Sequence, residues 1–503
     1  MVTISSRSRR LIRYRDSTNL LLDISPTTRN WILGCFLLSY VVYLIHVGIG
    51  YLPEWVDHDM IYLFQAYSRD DWNQFQLDYK QRFGRDTPAS LESWHRYAKY
   101  QQCSETEFYD SLDRDMETFR RQINATGGNL LDYSQVVPSG LAQTNNYMAF
   151  QLQQHQLTVI MSRNIHNNQQ QQDEIEQNFR WLLRPLVGHS PPISAIFFFD
   201  LHDHPTEKST QDSMPIFTVC RMSYFTDDQP VPSEQQLEAL LSDAAVDGTN
   251  NGVFLRHSSN AKLPSSKTLA NRIVDHAFHP DFPDSYNTRA LMMPFHFALE
   301  GNDIEPGPAF SKRKDAIVWR GSTTGYDWGA SPRFQLVQQY GGTQPYQASS
   351  ESTTTIDFAF TNVCQNSSTD TLPPETRFAA RMGDEETQQN KYIMDVDGNA
   401  FTSRFPRLLK SGSVIFKSTR FREWYSERLK PYVDYIPVNY NLTDLLEKIA
   451  WVEAHPKAAE QIMQHGRFTS EKYLSKTEMK CYVYRLMLEY HTLFQPQQSA
   501  SSS

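Results

Sequence analysis

The sequence has few cysteines, few basic residues and only one long apolar run, and each shortage narrows the possible functions. Five of the 503 residues are cysteine, and none stands at a Cys/His spacing typical of a metal site. Lysine and arginine number 48 against 57 acidic residues, and the net charge of −9 argues against nucleic acid as the main partner, because phosphate backbones require a basic surface. Hydrophobic residues still make up 40% of the chain, which excludes wholesale disorder and suits two domains.

The one long apolar run, residues 31–52, contains His46 as its only ionisable side chain. At about 1.5 Å per residue, a helix over this run spans roughly 33 Å, enough to cross the hydrocarbon core of a bilayer. Arginines crowd the segment before it and acids follow it, which favours a cytosolic N-terminus and a lumenal remainder. We therefore predict the uncleaved signal anchor of a type II membrane protein of the Golgi, with the endoplasmic reticulum second; a cleaved signal peptide and a buried core helix are the alternatives.

A lumenal location makes disulfides and N-linked glycans possible. Four cysteines would face the oxidising lumen and allow three pairings, among which the sequence does not choose: Cys103, Cys220, Cys364 and Cys481. Three Asn-x-Ser/Thr triplets are candidate glycosylation sites: Asn124, Asn366 and Asn441.

Short apolar segments alternate with helical patterns in the second half of the chain. The predicted strands cover residues 193–200, 215–220, 315–320, 391–395, 413–416 and 435–438, and the predicted helices cover residues 403–410, 444–454, 457–465 and 476–490. This alternation predicts βαβ units, a parallel sheet and the α/β fold class. In such sheets ligands bind beyond the carboxyl ends of the strands, where polar loops follow.

The first of these loops follows the predicted strand that ends at Arg320. Gly321, Ser322 and Thr323 come next, within the motif WRGSTTG. Glycine lets backbone N–H groups approach an anion, hydroxyls donate to phosphate oxygens, and arginine supplies a positively charged fork. The motif therefore predicts phosphate binding; an ordinary turn at a strand end is the alternative.

The second loop carries Asp395 and Asp397 and precedes a helix that begins near Arg404. Two carboxylates can hold Mn²⁺ on a diphosphate, whereas acids before a helix are often simple caps. Arg404 could reach a phosphate from the first turn of that helix. Further along, Glu423 follows another strand and can hold ribose hydroxyls, with a solvated surface acid as the alternative.

Five ordered segments together resemble the family of fungal capsule-associated β-1,2-xylosyltransferases and Rumi-like protein O-glucosyltransferases. The segments are WRGSTTG, KYIMDVDGNAFTSRF, LLKSGSVIFKS, EWY and LKPYVDYIPVNYNLTDL. The resemblance covers residues 75–490 and is dense after residue 315. It implies an inverting transfer from a UDP-sugar in a GT-B fold, in which two Rossmann-like domains face a cleft, with no required metal or other cofactor; Mn²⁺ stays a less favoured possibility.

The residues and the resemblance together predict the following division of the chain. A cytosolic tail (1–30), the anchor (31–52) and a stem (53–85) precede an N-terminal domain for the acceptor and the catalytic base (86–300), a C-terminal UDP-sugar domain (301–492) and a disordered tail (493–503).

The resemblance also implies a catalytic base, an aspartate closing a strand of the N-terminal domain. Asp203 takes this position. The surrounding stretch departs from the family pattern, because Asp200 replaces the usual asparagine and Thr206 stands where fungal members often carry arginine. His202 and His204 leave a metal site or a histidine base as alternatives.

For the donor, the residues and the resemblance together predict binding by Arg320, Gly321, Ser322, Thr323, Arg333, Asp397, Arg404 and Glu423. Xylose is the first expected sugar and glucose the second, with a hydroxyl of a glycan or glycoprotein as acceptor. Two alternatives stay open: a non-catalytic lumenal sugar-binding protein on the same fold, and a metal-dependent GT-A-type transferase using Asp395 and Asp397.

Overall fold

The computed structural model describes residues 68–104, 109–125, 147–153, 155–163, 169–188, 193–201, 216–218, 221–222, 230–242, 246–247, 254–255, 290–294, 304–305, 307–325, 331–364 and 372–493. Within these ranges no helix combines the length and the apolar character needed to cross a membrane. The predicted anchor, residues 31–52, lies outside the described residues.

The first sheet lies in the first half of the chain and is mixed. Its strands are β1 (Tyr147–Gln153), β2 (Gln156–Arg163), β3 (Ser194–Asp200), β4 (Ile216–Thr218) and β8 (Ala290–Met292). They lie in the order β2-β1-β3-β4-β8. β1 pairs antiparallel with β2 and β3, whereas β3, β4 and β8 are parallel. The strand predicted over residues 193–200 is confirmed as β3.

Five helices of the described residues lie in the first half of the chain: α1 (Arg69–Phe83), α2 (Leu91–Gln101), α3 (Asp110–Ala125), α4 (Gln169–Gly188) and α5 (Glu234–Ser242). The aromatic side chains Trp72, Phe75 and Tyr79 of α1 are buried, and the ring of Phe75 packs in a tilted arrangement against that of Trp94 in α2, with 5.7 Å between the ring centres. Helix α1 lies in the range predicted as stem. Because it buries aromatic side chains, this helix belongs to the folded unit.

The second sheet has six strands and carries the predicted donor-binding motifs. Its strands are β9 (Lys314–Ser322), β10 (Tyr346–Gln347), β11 (Thr355–Asn362), β12 (Asn390–Val396), β13 (Val414–Ser418) and β15 (Ile436–Pro437). The order is β10-β11-β9-β12-β13-β15, and every pair except β10–β11 is parallel. The predicted parallel sheet is therefore confirmed for this half.

Helices pack against the second sheet. They are α6 (Pro332–Tyr340), α7 (Asp384–Thr387), α8 (Phe405–Lys410), α9 (Leu445–Ala454) and α10 (Pro456–Tyr473). Alternate residues of the central strands, such as Trp319 and Met394, enter one apolar core with residues of α6, α9 and α10. Both faces of these strands are buried, which explains why they are apolar almost throughout.

Short paired segments complete the described structure. Two strands from opposite halves of the chain, β5 (Arg221–Met222) and β14 (Phe421–Arg422), pair antiparallel. A second short pair joins β6 (Val246–Asp247) to β7 (Phe254–Leu255).

The last helix, α11 (Lys476–Thr492), packs against the helices of the first half. A disulfide joins its Cys481 to Cys103 after α2, which identifies one of the pairings left open by the sequence. The Tyr490 hydroxyl donates to the Ile196 carbonyl of β3 at 3.0 Å. The carboxylate of Glu489, fully buried, accepts hydrogen bonds from Tyr79, Arg85 and Arg120. α11 therefore fastens the end of the second half to the first half.

Candidate donor-binding site

The candidate site lies at the carboxyl ends of three adjacent parallel strands. β9 ends at Ser322, β12 at Val396 and β13 at Ser418. Because parallel strands end at the same edge of a sheet, the loops after them meet there. The predicted donor-binding residues follow these strands or end them, with Arg333 and Arg404 at the starts of α6 and α8.

Two arginines lie against one buried indole. The guanidinium carbons of Arg333 and Arg404 are 5.9 and 6.0 Å from the ring centre of Trp319, which is almost fully buried. Arg333 donates to the Asp397 carbonyl and to Ser322 and Thr324. Burial, followed by the nearby Arg404, lowers the pKa of Arg333 to about 10, so it keeps its charge at neutral pH.

Arg404 is held in place but keeps a hydrogen-bond donor unused. Its Nε donates to Asp395 at 3.2 Å, and its Nη1 donates to the Arg320 carbonyl at 2.9 Å. Its Nη2 is buried and has no partner among the described residues. A buried donor without a partner costs free energy, and an anionic ligand would supply the missing acceptor.

Arg320 has internal partners for its guanidinium. Its Nη2 donates to both carboxylate oxygens of Asp357 at 2.9 Å, and its other N–H groups donate to three backbone carbonyls, two on β9 and β11 and one of Ala380. Arg320 thus supports the strand ends, and its backbone carbonyl positions Arg404, while the predicted role of its side chain toward a phosphate stays a prediction.

At the end of β9 the backbone lies close to a neighbouring side chain. A Cβ atom at Gly321 would lie 2.6 Å from the Trp319 ring, so no larger residue fits there without displacement. The Ser322 hydroxyl donates to Asn362, and the buried Thr323 hydroxyl bonds to the backbone of Cys364. These hydroxyls have protein partners, and their predicted role toward phosphate stays a prediction.

Asp395 is surrounded by donors. Lys417 lies directly across from it on β13, and their charged groups are 3.1 Å apart. Its other oxygen accepts from Thr402 and Arg404. A metal ion at Asp395 would displace two cations, and among the described residues no cluster of three or more possible ligands is suited to a metal. The contacts therefore count against the GT-A-type alternative that uses Asp395 and Asp397.

Asp397 and Glu423 are buried acids of the same edge. One oxygen of Asp397 accepts the Arg420 backbone N–H, while Oδ1 has no partner within the described part of the chain. Glu423 accepts from the Tyr425 hydroxyl. Burial is the largest influence on both, and it raises the pKa of Asp397 to about 7 and the pKa of Glu423 to about 8.

Lys417 is a residue of the candidate site that the sequence analysis did not single out. It is the penultimate residue of the apolar strand β13 and is almost fully buried, with its ammonium 4.2 Å from the Phe405 ring centre. The sequence did contain a signal for this residue. A lysine near the end of an apolar strand, next to a strand that carries an acid, indicates a buried ion pair. Its partner could not be known before the register of β12 and β13 paired it with Asp395.

Several predicted residues fall elsewhere. The proposed base Asp203, with His202 and His204, lies outside the described residues, as do Asn366 and Cys220. Asn124 lies in the last turn of α3. Asn441 is exposed and accepts from the Thr443 hydroxyl at 2.8 Å.

Comparison with known proteins matches residues 306–502 to the family described as Glycosyl transferase family 90. Protein O-glucosyltransferase 2 of Danio rerio is 38% identical over 105 residues, covering 20% of this chain and 21% of that protein. Protein O-glucosyltransferase 3 of Rattus norvegicus is 34% identical over 102 residues, covering 20% of each. The matches thus span about a fifth of these relatives.

Among solved structures, the crystal structure of TarM gives a TM-score of 0.27 at 11% identity, covering 57% of this chain and 52% of that one. A similarity this weak adds nothing to the contacts described above. The sequence match is confined to the half that carries the six-stranded sheet and the arginine pair. Residues 306–502 therefore match the model of Glycosyl transferase family 90, and the relatives confirm the resemblance to the Rumi-like protein O-glucosyltransferases over about a fifth of the chain.

Proposed function

We propose that this protein is an inverting glycosyltransferase that moves a sugar from a UDP-sugar to a hydroxyl of a glycan or glycoprotein. The observation that carries the proposal is the pair Arg333 and Arg404, held on Trp319 at the carboxyl edge of a parallel sheet. Both cations are fixed by protein contacts before any ligand arrives, and Arg404 keeps a donor without a partner. Such an arrangement is suited to a diphosphate.

The two arginines would lower the barrier to sugar transfer by stabilising the charge that develops on the leaving group. As the sugar leaves the donor, negative charge grows on the departing UDP, and fixed donors aimed at that charge lower the barrier. Arg333 and Arg404 would supply them, while Glu423 would meet a hydroxyl of the ribose. In this proposal Asp203 takes the proton of the acceptor hydroxyl as its oxygen attacks the anomeric carbon, a contribution of about 10²–10⁴-fold.

For the sugar, we keep xylose first and glucose second. The names of the similar animal proteins favour testing glucose with equal care, whereas the sequence segments look more fungal than animal. The GT-B arrangement and the Golgi location also belong to the proposal. The GT-B arrangement is supported by the two sheets, which lie in the two halves of one compact unit. The Golgi location is supported by the charge pattern around residues 31–52, which is typical of a signal anchor.

The test is UDP release from UDP-xylose and UDP-glucose by the full chain, with glycan and glycoprotein acceptors, in the wild type and in Asp203→Asn. We expect release by the wild type that depends on an acceptor, and loss of release with retained donor binding in the variant. Donor binding without turnover in the wild type would favour the alternative of a sugar-binding protein. No binding of either donor would refute both proposals.

A further inference from the structure

Three buried acids at the carboxyl edge share one lysine. Asp395 takes that lysine, Lys417, together with Arg404. Asp397 and Glu423 are 0% and 6% exposed, and neither forms an ion pair with any described residue. The cluster therefore contains two carboxyl groups that have lost water without a direct ion pair, and the attraction of the nearby Lys417 does not offset the cost of their burial.

An unpaired carboxylate is expensive to bury, and such a group avoids the cost by keeping its proton. Each acid has one oxygen engaged as an acceptor, from the Arg420 N–H at Asp397 and from the Tyr425 hydroxyl at Glu423. The proton therefore belongs on the other oxygen of each. The pKa values of about 7 and about 8 agree with this assignment near neutral pH.

The charged and titratable groups around the two acids come from every neighbouring element. They are Asp395 of β12, Lys417 of β13, Arg420 after β13, Tyr425, Arg404 before α8 and Arg333 of α6. The Tyr425 pKa is raised well above its usual value by burial and by Glu423, so this group stays neutral. The exposed Arg420 directs its guanidinium to the Tyr440 ring.

We propose, resting on the proposed function, that Asp397 and Glu423 serve the donor site as neutral acids, so that the site keeps the positive charge that selects a dianionic diphosphate ester. When both acids are neutral, the three cations Lys417, Arg404 and Arg333 outnumber the one anion, Asp395. The site then carries a net charge of +2. With both acids ionised, this positive charge is cancelled. Donor binding and protonation of the two acids therefore support each other.

The test measures UDP-glucose binding to the full chain by isothermal titration calorimetry between pH 6.5 and 8.5. Both phosphates of this probe are esterified, so its own charge stays constant across this range. We expect the affinity to fall about tenfold to a hundredfold from pH 6.5 to 8.5, because both acids ionise in that window. At pH 8.5, titrations in buffers of different ionisation enthalpy should show uptake of about one to two protons per donor bound.

Two variants test the assignment to these acids. Asp397→Asn and Glu423→Gln keep the shape of the neutral acid and cannot ionise, so the double variant should bind UDP-glucose with an affinity that changes less than about twofold over the same range. The matched control is Asp434→Asn. Asp434 is equally buried but lies before β15, at the opposite edge of the sheet, with both oxygens hydrogen-bonded. This control should keep the wild-type pH dependence.

A flat wild-type profile without proton uptake overturns the inference while leaving the proposed function intact. A double variant that binds but keeps the wild-type slope overturns it as well. If the double variant fails to fold, the proton uptake of the wild type decides alone. If the folded wild type binds UDP-xylose but not UDP-glucose, the same titrations are made with UDP-xylose, whose phosphates are also both esterified. If it binds neither donor at any pH, the proposed function fails, and the inference fails with it.

Discussion

Replacing Arg404 by alanine should weaken donor binding without unfolding the protein. The variant removes a guanidinium whose Nη2 is buried and has no partner in the described structure, and which we assign to the diphosphate. A hydrogen bond between charged groups contributes about 1.5–3 kcal/mol, which corresponds to an affinity loss of about ten- to a hundredfold. Asp395 keeps Lys417 and Thr402 as partners, so the loss of stability should be small.

Isothermal titration calorimetry with UDP-glucose measures the effect, and thermal unfolding checks the fold. Arg407→Ala is the matched control, because Arg407 lies one turn further along the same helix, α8, and pairs with Asp384 at the surface. Arg407→Ala removes one positive charge, as Arg404→Ala does, from a position three residues further along the chain. Equal donor affinities in the two variants would refute the assignment of Arg404. Arg404→Lys should fall between wild type and alanine, since it keeps the charge but loses the fork.

Three further outcomes are expected. Glu489→Gln should destabilise the protein by about 3–5 kcal/mol in chemical denaturation, because it removes the buried carboxylate that pairs with the partly buried Arg85 and Arg120. These arginines lower the pKa of Glu489 against the cost of burial, so its contribution to stability is present above the pKa of the unfolded chain and is lost as the pH falls through the pKa of the folded protein. An unchanged acid unfolding midpoint in the variant would contradict this. Arg320→Ala should lower the free energy of unfolding by about 2–3 kcal/mol by leaving Asp357 with Arg377 alone, and wild-type thermal stability would show that the pair is dispensable. Reduction of the Cys103–Cys481 disulfide should lower the melting temperature, with Cys103→Ser as the control that no longer responds to reductant.

The second half of the fold could be predicted from the sequence because its signals are local. Segments such as 391–395 and 413–416 are apolar, short and bounded by turn residues, and they form β12 and β13. In the first half, β1 and β2 were not predicted. Their sequences, YMAFQLQ and QLTVIMSR, mix polar and apolar residues because the hairpin lies at the edge of its sheet.

The sequence could place the candidate residues near one another but could not give their contacts. Loops after parallel strands meet at one edge, so Arg404 and Asp397 could be placed together from the strand pattern alone. The ion pair of Arg320 with Asp357 could not be foreseen, because Asp357 is 37 residues away and meets Arg320 only through the pairing of β9 with β11. The neutral state of Glu423 likewise depends on burial that only the folded structure shows.

The most direct measurement is an experimental structure of the full chain with UDP bound. We expect the diphosphate at the carboxyl ends of β9 and β12, with the Arg404 guanidinium within hydrogen-bond distance of a phosphate oxygen and Arg333 beside it. A diphosphate bound away from this edge, or an Arg404 side chain that makes no contact with the nucleotide, would contradict it.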